Sequence, residues 1–144
     1  MNLHQITAKD IMTERVRVVT EKMLIKHVAH LMLRDKVSGF PVVNNEQKII
    51  GIITVTDLLH LMEKIFQNKK GDAIVQLNEY KELSISEVMS RNVLMIAPTT
   101  TLEEIINTVV KLKIHTFPVM EKDKLVGIIG RHDVLNAIFQ YGGK

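Results

Sequence analysis

The feature that most constrains this chain is that it is written twice, which limits it to folds made of two like halves. Asp10-Ile11-Met12 returns as Glu87-Val88-Met89, and Phe40-Pro41-Val42 returns as Phe117-Pro118-Val119, both 77 positions later. Gly51-Ile52-Ile53 returns as Gly127-Ile128-Ile129, 76 positions later. The missing residue falls where Asn44-Asn45-Glu46-Gln47 faces the shorter Glu121-Lys122-Asp123. A hairpin loop is the place that tolerates such a deletion.

The apolar pattern repeats with the landmarks. Ile25, Val28, Ala29, Met32 and Leu33 follow helical spacing, and their counterparts Leu102, Ile105, Ile106, Val109 and Val110 are all apolar. Helices are predicted at roughly 22–36 and 100–113, with Lys36 and Lys113 near their C-termini, where a cation suits the macrodipole. Each helix follows a β-rich segment, 16–19 or 93–96. Each precedes two short strands, 40–43 with 49–54 and 117–120 with 125–129. Pro41 and Pro118 are expected to start their strands, where proline removes no ladder bond. Gly51 and Gly127 lie inside apolar strands, a mark of a bulge or a close backbone approach. A second helix closes each half, at roughly 55–67 and 131–141. The halves are then 1–66 and 83–144, joined by a largely polar linker, 67–82.

Composition removes several kinds of function. With no cysteine there is no disulfide framework, thiolate metal site or cysteine nucleophile. No apolar run reaches the roughly 18 residues that span a bilayer, and residues 1–10 carry no apolar core of a secretory signal. A cytoplasmic protein without membrane insertion is expected. The net charge of +3 is too small to point to nucleic acid, and two Tyr, four Phe and no Trp make a poor base-stacking platform. His27 and His30 stand three apart on a helix with His4 nearby in sequence, but no carboxylate cluster completes a ligand set, so no metal site is expected. No nucleophile motif or Gly-rich phosphate loop is present, and no catalytic residue is assigned.

A β-α-β-β-α unit with these landmarks, present twice, resembles the cystathionine-β-synthase (CBS) domain, and the tandem pair resembles a Bateman module. The resemblance rests on Asp10-Ile11-Met12, Gly39-Phe40-Pro41-Val42-Val43 and Gly51 to Asp57 in the first half. In the second it rests on Glu87-Val88-Met89, Thr116-Phe117-Pro118-Val119 and Gly127 to Asp133. It implies an α+β fold of two pseudo-symmetric motifs packed together through their small sheets. It also implies a non-catalytic regulatory module, binding adenine nucleotides (AMP, ADP, ATP) or related adenosyl compounds such as S-adenosylmethionine in clefts between the motifs. Binding would signal by conformational change to an enzyme, channel or transporter. No cofactor is required, although Mg²⁺ would suit a polyphosphate.

The resemblance assigns roles to individual residues. Asp57 would take both ribose hydroxyls on its carboxylate, and Thr54 would contact ribose or phosphate at a helix N-terminus. Thr54-x-x-Asp57 is equally a capping box that needs no ligand. In the second half Asp133 remains, but Gly130 replaces the threonine, and Arg131 and His132 add positive charge. Two readings stay open there: a site that trades a hydroxyl for cationic phosphate contacts, or a degenerate site with a permissive cap. Gly39, Phe40 and Pro41, and likewise Thr116, Phe117 and Pro118, would offer backbone groups to the adenine edge. Ile11, Met12, Val88 and Met89 would flank the base, or else serve as plain core.

The closing helices carry one more expectation. Val55, Leu58, Leu59, Leu61, Met62, Ile65 and Phe66, and in the second half Val134, Leu135, Ala137, Ile138, Phe139 and Tyr141, form bands wider than an ordinary core stripe. They need a further burial partner, and a homodimer is expected. The rival to a nucleotide sensor is a constitutive dimerisation or protein-interaction scaffold that binds no ligand.

Overall fold

The computed structural model describes residues 2–141; Met1 and 142–144, the outer ends of the two expected halves, lie outside the described residues. Two compact units are present, and they are cut differently from the sequence repeats. One comprises Arg17–Asn92, the other Met1–Val16 together with Val93–Lys144. Each half therefore gives its N-terminal arm to the unit built on the other half.

In the unit Arg17–Asn92, β1 (Val19–Thr20) leads to α2 (Ile25–Asp35), then to the hairpin β2 (Gly39–Val43) and β3 (Ile49–Thr54), and to α3 (Val55–Gln67). Helix α1 (Ala8–Ile11) belongs to the other unit. The sheet order is β1-β2-β3, with β1 parallel and β3 antiparallel to β2. Within the stretch expected as a linker, α4 (Ala73–Lys81) is capped by Asp72, whose side chain accepts the Ile74 and Val75 N–H groups. The second unit repeats the plan with α5 (Leu102–Leu112), β4 (Phe117–Glu121), β5 (Lys124–Ile129) and α6 (Arg131–Tyr141). Its equivalent of β1 shrinks to one parallel bridge, Ile96 to Val119, so the strand expected over 93–96 is not formed, and the one expected over 16–19 starts only at Val19.

The arms dock with the same hydrogen bonds in both units. Leu102 N–H donates to the Ile6 carbonyl and Ala8 N–H to that of Thr100. Ile25 N–H donates to the Leu83 carbonyl and Ile85 N–H to that of Met23. Further along, Thr13 and Ile128 exchange both backbone bonds at 2.9 Å, and Ser90 and Ile52 do so at 2.8 and 2.9 Å. These pairs also explain the prolines. Pro41 and Pro118 do not start their strands; they lie inside them, opposite Ile52 and Ile128. Those partners turn their polar groups to the arms, so neither needs the N–H that proline lacks.

The in-strand glycines have the same cause. A Cβ on Gly51 would lie 2.8 Å from the Ser90 carbonyl oxygen and 3.0 Å from Met89 Sδ. One on Gly127 would lie 2.4 Å from Met12 Sδ and 3.1 Å from the Thr13 carbonyl oxygen. Each hairpin also slips register beside its glycine, between Val42 and Val43 and between Val119 and Met120.

Each unit has its own core. In the first, Val19, Ile25, Val28, Met32, Phe40, Val42, Ile53, Leu61, Ile85 and Met89 pack together; in the second, Ala8, Ile105, Phe117, Val119 and Ile129 do. Leu33 and Val110, expected on the buried helix face, are instead 79% and 72% exposed. They stand at equivalent positions one residue beyond Met32 and Val109, where each helix approaches its left-handed cap at Lys36 or Lys113.

Candidate functional site

The first helix start that matters is that of α3. Thr54 leaves β3 extended and caps the helix, accepting the Asp57 N–H on its hydroxyl at 3.4 Å. Asp57 answers with Oδ2, which accepts the Thr54 N–H at 2.7 Å and the Thr54 hydroxyl at 3.1 Å. The capping box expected from Thr54-x-x-Asp57 is thus formed. Its other oxygen, Oδ1, accepts no hydrogen bond among the described residues. Burial raises the Asp57 pKa above its ordinary 3.8, against the opposing Thr54 backbone and hydroxyl bonds and the charge of His60.

Gly39 begins β2 opposite Thr54, and a Cβ on it would come within 3.0 Å of the Ile53 carbonyl oxygen and Thr54 Cγ2. Val55 N–H donates to the Ser38 carbonyl at 2.8 Å, tying the start of the strand to the start of the helix. Phe40 and Pro41 follow, both buried, with the Phe40 ring in the core. Val88 packs against that core and Met89 belongs to it. A ligand at this site would therefore meet Phe40 through its backbone, not its ring.

The second unit repeats the layout with altered chemistry. Asp133 Oδ2 accepts the Gly130 N–H at 2.7 Å, while Oδ1 accepts the Thr13 hydroxyl at 2.8 Å. Thr13 carries no role in the sequence reading. The available signal was its position, aligned with Ser90 just after the repeated Met. A Cβ on Gly130 would have no neighbour closer than Asp133 Oδ2 at 3.8 Å, so space does not demand glycine there. Arg131 and His132 occupy the first turn of α6 and are exposed. Cations are disfavoured at a helix N-terminus unless an anion accompanies them. Thr116 is half-buried, Phe117 and Pro118 are buried, and Ile11 and Met12 pack against the second core. The site residues thus gather by unit: Ile11 and Met12 stand with Gly130, Asp133 and Thr116, and Val88 and Met89 with Thr54, Asp57 and Gly39. Just before Thr116, the buried His115 Nδ1 has no hydrogen-bond partner among the described residues.

Outside the helix starts, His27 and His30 are exposed on α2, and His4 Nδ1 lies 2.9 Å from Glu103 Oε1. Among the described residues no helix is long and apolar enough to cross a membrane.

The family model for the CBS domain matches twice, at residues 8–64 and 85–140. The chain belongs to the CBS-domain family. A similar relative is homoserine O-acetyltransferase of Methanococcus vannielii, 28% identical over 137 residues; the match takes in 94% of this chain and 25% of that enzyme. Another is the chloroplastic CBS domain-containing protein CBSX2 of Arabidopsis thaliana, 26% identical over 153 residues, with 93% of this chain and 64% of that protein covered. The chain thus spans a quarter of the archaeal enzyme and under two thirds of the plant protein. The crystal structure of CBSX2 in complex with AMP superposes with a TM-score of 0.72 at 26% identity, over 94% of this chain and 97% of that one. The fold is that of a tandem CBS pair, mixed helix and strand with small sheets.

Proposed function

We propose that this CBS pair is a non-catalytic regulatory module that binds an adenosine-containing ligand at the starts of α3 and α6. The observation that carries the reading is the half-buried Asp57 carboxylate, with one oxygen committed to the helix cap and the other without a partner among the described residues. A vicinal ribose diol offers two O–H donors to such a group, and charge-assisted bonds of this kind offset the cost of burying it. Gly39 and Thr116 would present backbone to the adenine edge, with Phe40, Pro41, Phe117 and Pro118 holding those segments extended. Val88 and Met89 would flank the base in one site, Ile11 and Met12 in the other. Arg131 and His132 would meet phosphates at the second site, where Mg²⁺ would accompany a polyphosphate. The similarity to CBSX2, whose crystal structure is a complex with AMP, supports the ligand class.

In this reading the module works in the cytoplasm as a homodimer. Leu59 and Phe66 on α3 and Phe139 on α6 are 61%, 69% and 90% exposed, and a second copy would cover them. Ligand binding would shift a conformational equilibrium, and only by the difference in affinity between the two states. The target would be an enzyme, channel or transporter. A second reading, a scaffold that binds no ligand, draws on one observation: the Thr54–Asp57 box satisfies its own backbone groups. Calorimetric titration with AMP, ADP, ATP and S-adenosylmethionine separates the two. Heat that disappears with Asp57→Ala and Asp133→Ala supports the sensor; its absence at millimolar ligand supports the scaffold.

A further inference from the structure

The two acidic helix starts differ in one bond. Both Asp57 and Asp133 give Oδ2 to their own helix cap. Asp57 Oδ1 is unpartnered among the described residues, whereas Asp133 Oδ1 already accepts the Thr13 hydroxyl at 2.8 Å. The sequence equivalent of Thr13 is Ser90, and its hydroxyl accepts the Asn92 N–H at 3.3 Å instead of turning to Asp57. Backbone placement does not cause the difference. Thr13 is held to Ile128 and Ser90 to Ile52 by the same double hydrogen bond. What differs is the side chain and its partner: the Thr13 hydroxyl donates to Asp133, whereas the Ser90 hydroxyl accepts the Asn92 N–H.

We infer that Thr13 is a positioning residue that occupies the Asp133 carboxylate in the ligand-free protein, so that an adenosine ligand fills the Asp57 site first. This rests on the function proposed above. A diol arriving at Asp57 finds an acceptor oxygen with no protein bond to break. A diol arriving at Asp133 must first displace the Thr13 hydroxyl, which then has to find water or ligand as its new partner. An exposed hydrogen bond of this kind is worth about a factor of five in an equilibrium constant. Gly130 widens the gap, because the second site has no equivalent of the Thr54 hydroxyl. The two sites of a nearly symmetric molecule then answer different ligand concentrations, and the arm that carries Thr13 sets the interval between them.

The test uses the full chain and AMP. In an Asp57→Ala background only the Asp133 site remains, and Thr13→Val should tighten AMP binding there about fivefold, while Thr13→Ser should behave as threonine does. Unchanged or weaker binding by the valine variant overturns the inference. A ligand-free arm runs beside it: urea unfolding of Thr13→Val, Asp133→Ala and the double variant. Thr13→Val should lower the unfolding midpoint in the wild-type background and leave it unmoved in Asp133→Ala, which has no side-chain partner for the hydroxyl. Equal losses in both backgrounds mean that the bond is not formed in solution, which also overturns the inference. If this coupling is present and the wild-type chain takes up no AMP, ATP or S-adenosylmethionine, the ligand reading has failed, and the proposed order of filling falls with it.

Discussion

The docking of each arm against a glycine can be tested by adding one methyl group. Gly127→Ala puts a Cβ 2.4 Å from Met12 Sδ and 2.8 Å from Met12 Cγ, well inside contact distance. The Thr13 carbonyl oxygen, at 3.1 Å, is tight but tolerable with a shift of a few tenths of an ångström. Met12 is unbranched and half-buried, so it can swing away, at an overpacking cost of about 1–2 kcal/mol. Gly51→Ala is worse, because its Cβ meets the Ser90 carbonyl oxygen at 2.8 Å. That oxygen is fixed by the Ile52 N–H at 2.8 Å, and moving it strains the paired bond from Ser90 N–H at 2.9 Å. Adding about 1 kcal/mol for the disturbed pair to the overpacking gives roughly 3 kcal/mol. For a chain of this size the melting temperature should fall by roughly 6–12 °C with Gly51→Ala and by about half that with Gly127→Ala. The decisive assay is urea unfolding of two double-mutant cycles. Met12→Ala should abolish nearly all the cost of Gly127→Ala, because the obstacle is a side chain. Met89→Ala should leave most of the cost of Gly51→Ala in place, because the obstacle is backbone. If the Gly127 and Met12 effects simply add, the arm does not dock as described.

Burial raises the Asp57 pKa, so the folded chain holds its proton more tightly than the unfolded chain does, and this site's contribution to stability falls as pH rises from 3.8 through the raised value. Melting curves across that range should show Asp57→Asn gaining on the wild type as pH rises; a constant difference would count against a desolvated carboxylate. Adenosine ligands that need the ionised carboxylate should bind more weakly as pH drops through the same window, which titration calorimetry reads directly. Gly130→Thr has open space at its Cβ, and the residue is less free in the unfolded chain, so it should stabilise by about 0.4–1 kcal/mol in urea unfolding; destabilisation would mean that the threonine γ atoms meet an obstacle beyond the Cβ. If the module pairs through α6 as proposed, Phe139→Asp should give a monomer in analytical ultracentrifugation, since that side chain is 90% exposed in a single chain and free to meet a second copy. A wild type that is already monomeric would remove α6 as the interface.

Much of the fold was legible because the repeat fixed the register of two copies at once. The hairpins, α2, α5, α3 and α6 stand within a few residues of where apolar period and turn residues place them. The single deletion falls in the turn: Asn44 Oδ1 accepts the Glu46 and Lys48 N–H groups in the longer loop, while Lys122 and Asp123 adopt left-handed conformations in the shorter one. What the pattern could not supply was long-range. Nothing local says that Met12 belongs beside Gly127 or Met89 beside Gly51, so the crossing of the arms between repeats was invisible. Proline was expected at strand starts because its missing N–H is harmless there; in the structure it is harmless for a different reason, the turning of Ile52 and Ile128 toward the arms. Leu33 and Val110 fit the helical stripe, yet both face outward, since apolar spacing does not mark where a stripe runs past its core. At the candidate site, Thr54 and Asp57 were readable as a local motif. Thr13 was not, because its partner Asp133 lies at the far end of the chain.

The central claim is best tested by titrating AMP into the purified chain by calorimetry, with Asp57→Ala in parallel. Saturable heat in the wild type, and loss of the tighter component in the variant, is the predicted result. Heat that survives the loss of Asp57 undiminished would contradict the account, and so would a flat trace at millimolar AMP, ATP and S-adenosylmethionine.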